Sequence, residues 1–114
     1  MATLTTTITE SLILNGATQG GSNTKSITGI NAASKRIFTI TTNEATIATF
    51  SGAVTSAGHF NDGTVRYIRI TNLHATYFVA ITLTNGSNDE FAFKLDAGQS
   101  FVLFGDNSTG MELI

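Results

Sequence analysis

The sequence predicts an all-β protein, an antiparallel β-sandwich or jelly-roll-like domain of roughly seven or eight strands with an extended N-terminal strand or arm. Three observations lead there. Threonine occupies 20 of the 114 positions, and this β-branched residue wets a sheet face without adding charge. Several runs alternate apolar and polar residues with period two, while the only helix signal is the short stretch Asn31, Ala32, Ala33, Ser34. Charged residues make up only 12%, against roughly 25% in an average soluble domain. The length suits one domain, read as an N-terminal arm over residues 1–14 and a single β-sandwich domain over 15–114.

The N-terminal run is the longest. Leu4, Ile8, Leu12 and Leu14 fall on even positions, and Thr3, Thr5, Thr7, Thr9 and Ser11 on odd ones. Extended at about 3.3 Å per residue, residues 3–14 would span roughly 40 Å, longer than a domain of this size. Either the strand bends near Glu10 and Ser11, or its first part is an arm that adds to a neighbouring subunit. Residues 16–23, with Gly16, Gly20 and Gly21, read as a loop, and residues 26–30 as a short strand. Residues 36–41 and 45–50 read as two strands around the turn Thr42, Asn43, Glu44, and residues 51–63 as a glycine-punctuated loop.

The second half is more regular. Residues 65–71 form a strand with Arg66, Ile68 and Ile70 on one face and Val65, Tyr67 and Arg69 on the other. Asn72 to Thr76 break the pattern, and Tyr77, Val79, Ile81 and Leu83 then resume on one face. Asn85 and Gly86 open a turn before Phe91, Phe93 and Leu95. A last turn at Asp96, Ala97, Gly98 and Gln99 leads to Phe101, Val102, Leu103 and Phe104, apolar on both faces. Four strands joined by short turns read as a meander.

Composition removes several function classes. With no cysteine there are no disulfides, zinc-thiolate sites or thiol nucleophiles. The six basic residues, Lys25, Lys35, Arg36, Arg66, Arg69 and Lys94, form no stripe for phosphate, so nucleic acid is not an expected partner. No apolar run approaches the roughly 20 residues that span a bilayer, and the first residues lack the basic and apolar regions of a secretory signal. No membrane partner and synthesis in a cytoplasm are therefore expected.

Chemistry-bearing patterns are sparse. His59 with Asp62 could orient a base or bind a metal, but other ligands are not apparent, and it reads more simply as a surface-loop histidine. His74 reads as a solvated turn residue. The strings Gly20, Gly21, Ser22, Asn23 and residues 105–110 lack the lysine and the strand-turn-helix setting of a phosphate loop. Asp89 and Glu90 are adjacent and face opposite ways, unlike a glycosidase pair. Calcium at Asp89, Asp106 or Asn107 lacks EF-hand spacing. Tyr67 beside Arg69, with Tyr77, could be a stacking platform for sugars or bases, or simply cross-strand packing. No enzyme, cofactor or metal site is expected.

Residues 62–73 (Asp-Gly-Thr-Val-Arg-Tyr-Ile-Arg-Ile-Thr-Asn-Leu), Phe78-Val79 and residues 91–101 (Phe-Ala-Phe-Lys-Leu-Asp-Ala-Gly-Gln-Ser-Phe), with the N-terminal residues 8–16, resemble small β-rich virion proteins of tailed phages, especially those of marine bacteria. The resemblance implies a virion component, commonly a capsid decoration or cement protein, with a neck or tail piece as the alternative. It brings no residue-level binding site. On this reading the partners are the major capsid protein and copies of the chain itself, with trimers suiting local three-fold positions of a shell. Depletion of charge also suits surfaces buried between subunits. The candidate interface residues are Leu4, Ile8, Leu12, Arg66, Tyr67, Arg69 and Tyr77. A carbohydrate- or receptor-binding module stacking ligands on Tyr67, Tyr77 or Phe60 is the rival from another class.

Overall fold

The computed structural model describes residues 2–52, 54 and 56–104. The loop expected over 105–110, and with it Asp106 and Asn107, lies outside the described residues. The chain is all-β, and among the described residues there is no helix. It divides into two compact units, Met1–Thr39 and Ile40–Ile114. Residues 1–14 fall in the same unit as the residues that follow them, where the N-terminal strand finds its partner.

In the first unit, β1 (Ala2–Glu10) pairs antiparallel with β4 (Gly21–Ile30). Between them β2 (Ile13–Leu14) pairs with β3 (Ala17–Thr18). Asn15 and Gly16 both have positive φ, 53° and 79°, the geometry of a two-residue hairpin turn, which asparagine and glycine tolerate best. Residues 2–30 are thus one long hairpin with an interruption, and the loop expected at 16–23 is largely strand. The interruption sits at Gly20. A Cβ there would run into the backbone carbonyl of Glu10, so only glycine lets the two chains approach as β1 ends.

The two sides of the hairpin differ in chemistry. Leu4 lies opposite Ile27, and Ile8 opposite Asn23. On the other side Thr5, Thr7 and Thr9 face Ser26, Thr24 and Ser22. Thr7 and Thr24 hydroxyls lie 3.1 Å apart, and Thr9 and Ser22 hydroxyls 3.3 Å apart. Near the base the register shifts between Ala2 and Leu4, where Gly29 at φ 71° accommodates the extra residue of a bulge. Ile27 is fully buried; Leu4 and Thr6 are half-buried, and exposure then increases toward the tip.

In the second unit, β5 (Thr49–Ser51) pairs parallel with β6 (His59–Asn61), with the Phe50 and Phe60 rings 5.9 Å apart. β5 covers the end of the strand expected over 45–50, whereas β6 lies within the segment expected to be a loop. The strands β7 (Tyr67–Thr71), β8 (Val79–Thr84), β9 (Glu90–Leu95) and β10 (Ser100–Phe104) match the expected four closely in position. They are not a meander: β7 pairs with β10, and β8 with β9, both antiparallel. The inner hairpin is nested between the outer strands. Its apolar side carries Val79, Ile81, Leu83, Phe91, Phe93 and Leu95, and the Phe93 ring meets Phe101 at 4.5 Å. That contact joins the hairpin to the side of the outer ribbon carrying Ile68, Ile70, Phe101 and Leu103.

Asn72 explains the nesting. Its backbone N–H donates to the Gln99 carbonyl at 2.9 Å, and its own carbonyl accepts from Gly98 N–H at 2.9 Å. Its side-chain amide donates to the carbonyls of Tyr77 (2.8 Å) and Leu95 (3.1 Å), and its Oδ1 accepts from His74 N–H at 3.0 Å. One asparagine, 6% exposed, thus ties together both connections that cross between the ribbons.

Candidate interaction surface

The residues singled out from the sequence fall on both units. Leu4, Ile8 and Leu12 belong to the long hairpin: Leu4 is half-buried, while Ile8 and Leu12 are exposed. Arg66 precedes β7, is half-buried, and donates from its guanidinium to the Gly63 carbonyl at 3.4 Å. Tyr67 and Arg69 share the side of β7 that faces away from Phe93. Tyr67 lies opposite Phe104, ring to ring at 5.5 Å, and Arg69 opposite Val102. Tyr77 is 70% exposed and lies against His74 at 4.9 Å. Tyr67 therefore takes part in a cross-strand aromatic pair with Phe104, and its platform partner Tyr77 is engaged elsewhere, with His74.

His74 is more than a solvated turn residue. Its Nδ1 accepts from the backbone N–H groups of Thr76 (2.9 Å) and Tyr77 (3.0 Å), so the imidazole shapes residues 72–77. That loop holds Leu73, Tyr77 and Phe78 outward, all exposed. Lys94 lies over the Phe78 ring at 4.6 Å and pairs with Asp96 at 3.2 Å. The pair is well exposed, so it adds little stability. His59 lies in β6 and is half-buried. Among the described residues no three histidine, aspartate or glutamate side chains converge as a metal would need.

A feature the sequence reading did not single out is the amount of uncovered aliphatic and aromatic surface. At the hairpin tip Leu12, Ile13 and Leu14 are all more than half exposed, Ile13 at 71%. Ile37, Phe38 and Ile40 are exposed on the segment between the two units' strands, Ile37 at 79%. Phe91 and Leu73 add to this in the second unit. Buried aliphatic side chains among the described residues are Ile27 and Leu95 alone. The alternation of residues 3–14 marked Leu12 and Leu14 as apolar, but the turn that leaves Ile13 equally exposed was hidden in Asn15 and Gly16.

This geometry presents apolar patches and open strand edges, with no concave cluster of reactive groups among the described residues. No helix is long and apolar enough to cross a membrane. Comparison of the chain with protein-family models, with curated proteins and with solved structures gives no match in any of the three.

Proposed function

We propose that this chain is a structural subunit that completes its fold by binding copies of itself, and that it decorates the outside of a phage capsid, stabilising the shell by bridging capsomers. The observation that carries the self-association is the scarcity of core. The first unit is Met1–Thr39, a size at which folding alone usually needs disulfides, metal or oligomerisation. It has no cysteine and one buried aliphatic, Ile27. Two-stranded ribbons are marginal in water until a third strand or a packed face covers them.

The uncovered surface has the scale of an interface. Twelve large apolar residues are exposed among the described residues. Such a side chain fully open offers about 60–120 Å² of buriable apolar surface, the area equivalent of 1.5–3 kcal/mol, and with these residues 40–79% exposed they amount, over both units, to roughly 400–850 Å². A standard interface takes about 800 Å² per partner, little more than half of it apolar. Charge at 12% and the absence of proline leave strand edges without their usual guards against pairing. In this reading the ribbons build a sandwich together with strands of neighbouring copies. The capsid assignment is supported by the resemblance of residues 62–73, 91–101 and 8–16 to phage virion proteins.

Two measurements test the proposal. Sedimentation or native mass measurement is expected to give a closed homo-oligomer, and a chain that is monomeric at all concentrations refutes self-association. Phage shells lacking decoration are expected to bind the oligomer and gain thermal stability; shells that neither bind it nor change remove the capsid role.

A further inference from the structure

Residues 31–48 form neither strand nor helix, and residues 31–46 are exposed throughout. Within this stretch lies Arg36, Ile37, Phe38, Thr39, Ile40, Thr41, a run of β-branched and aromatic residues with strand character. The Arg36 guanidinium lies over the Phe38 ring at 4.6 Å, a contact between i and i+2 of the kind a strand places on one side. A turn closes it, with Asn43 N–H donating to Thr41 Oγ1 at 3.3 Å. Among the described residues no backbone-to-backbone hydrogen bond involves residues 31–48. A segment with strand composition and a turn thus has no ladder partner among the described residues.

Resting on the self-association reading above, we propose that residues 36–41 are an intersubunit strand that adds to a second copy of this chain. The same molecule supplies suitable edges. Every described sheet has two strands, so each strand keeps one edge open, and no proline blocks any of them. The ends of the segment are oppositely charged, Lys35 and Arg36 before it and Glu44 after it. In an antiparallel pair of two copies over 36–41, Lys35 of one stands diagonally across from Glu44 of the other, within reach of a long side chain. Ile37, Phe38 and Ile40 gain cover in the process. Main-chain bonds supply the affinity and the alternating side chains the selectivity, as in other strand additions.

The test uses the full chain with Thr39→Pro, Ile40→Pro and, as a side-chain control, Ile40→Ala. Adjacent residues point their N–H groups to opposite edges, so one of the two proline variants must lose a ladder donor. Neither disturbs a hydrogen bond within the chain, so far-UV circular dichroism should be unchanged. Expected are slow amide exchange at residues 37–41 in the wild-type oligomer, and association weakened in one proline variant by roughly tenfold or more beyond the loss that Ile40→Ala shows from its missing apolar cover. An oligomer that survives both prolines, with fast-exchanging amides at 37–41, overturns the intersubunit strand while leaving self-association standing. A wild type that stays monomeric overturns both.

Discussion

Replacing Asn72 with alanine removes three side-chain hydrogen bonds at once: two donated to the carbonyls of Tyr77 and Leu95, and one accepted from His74 N–H. The Tyr77 and His74 partners are part-buried and recover water, at a net cost of about 0.5–1.5 kcal/mol each. The bond to Leu95 is buried, so its loss lies at the upper end of that range, about 1.5 kcal/mol. The sum is roughly 2.5–4.5 kcal/mol, a large share of the stability of any small domain. Asn72→Asp is the sharper variant. It keeps the acceptor for His74 but turns an ionised oxygen toward two carbonyl oxygens, so at neutral pH it should destabilise at least as much as alanine. Urea denaturation followed by circular dichroism at one fixed protein concentration reads both, the fixed concentration being needed because association adds to apparent stability. A loss below about 0.5 kcal/mol for alanine, the scale of an ordinary surface substitution, would refute the account of Asn72 as the tie between the two ribbons.

Further predictions concern other parts of the fold. Gly20→Ala forces a Cβ into the Glu10 carbonyl, backbone against backbone with no flexible end to yield. Amide exchange across residues 2–30 should accelerate, whereas Gly21→Ala, with open space at its Cβ, leaves it nearly unchanged. Phe93→Ala removes the ring that meets both Phe91 and Phe101 and should cost about 2–4 kcal/mol, the lower part of the range for aromatic truncation because Phe93 is only half-buried. Lys94→Ala breaks an ion pair and a ring contact that are both at the surface, so the denaturation midpoint should correspond to a loss within about 1 kcal/mol.

Strands with one wet and one covered side are the easiest to read from sequence, and β8 and β9 have that form: Val79, Ile81 and Leu83 alternate with Ala80, Thr82 and Thr84. The strand over 21–25 was missed because Gly21, Ser22, Asn23, Thr24 and Lys25 contain no aliphatic side chain. Its partner is a threonine-rich strand, and hydroxyl pairs carry no hydrophobic period. Pairing order was also out of reach, since periodicity assigns faces but not neighbours. The ladder of β7 with β10 and the bonds of Asn72 show that β7 turns away from β8. That same pairing places Phe104 beside Tyr67, so the surroundings of a candidate interface residue depended on topology more than on its own strand. In residues 36–41 the composition is strand-like, yet a ladder requires a partner, and among the described residues the segment has none.

The hydroxyl side of the long hairpin has a consequence for how alignment between its strands is chosen. Sliding β1 past β4 by two residues would again set threonine or serine against threonine or serine, so Thr5, Thr7 and Thr9 scarcely distinguish the correct alignment from its neighbours. The discriminating information is concentrated at the ends, in the Asn15 and Gly16 turn, the close approach at Gly20 and the bulge at Gly29. Exchanging one hydroxyl residue for another along the middle is then a nearly silent change, while adding or deleting a single residue between Leu14 and Ala17 misaligns the whole ladder.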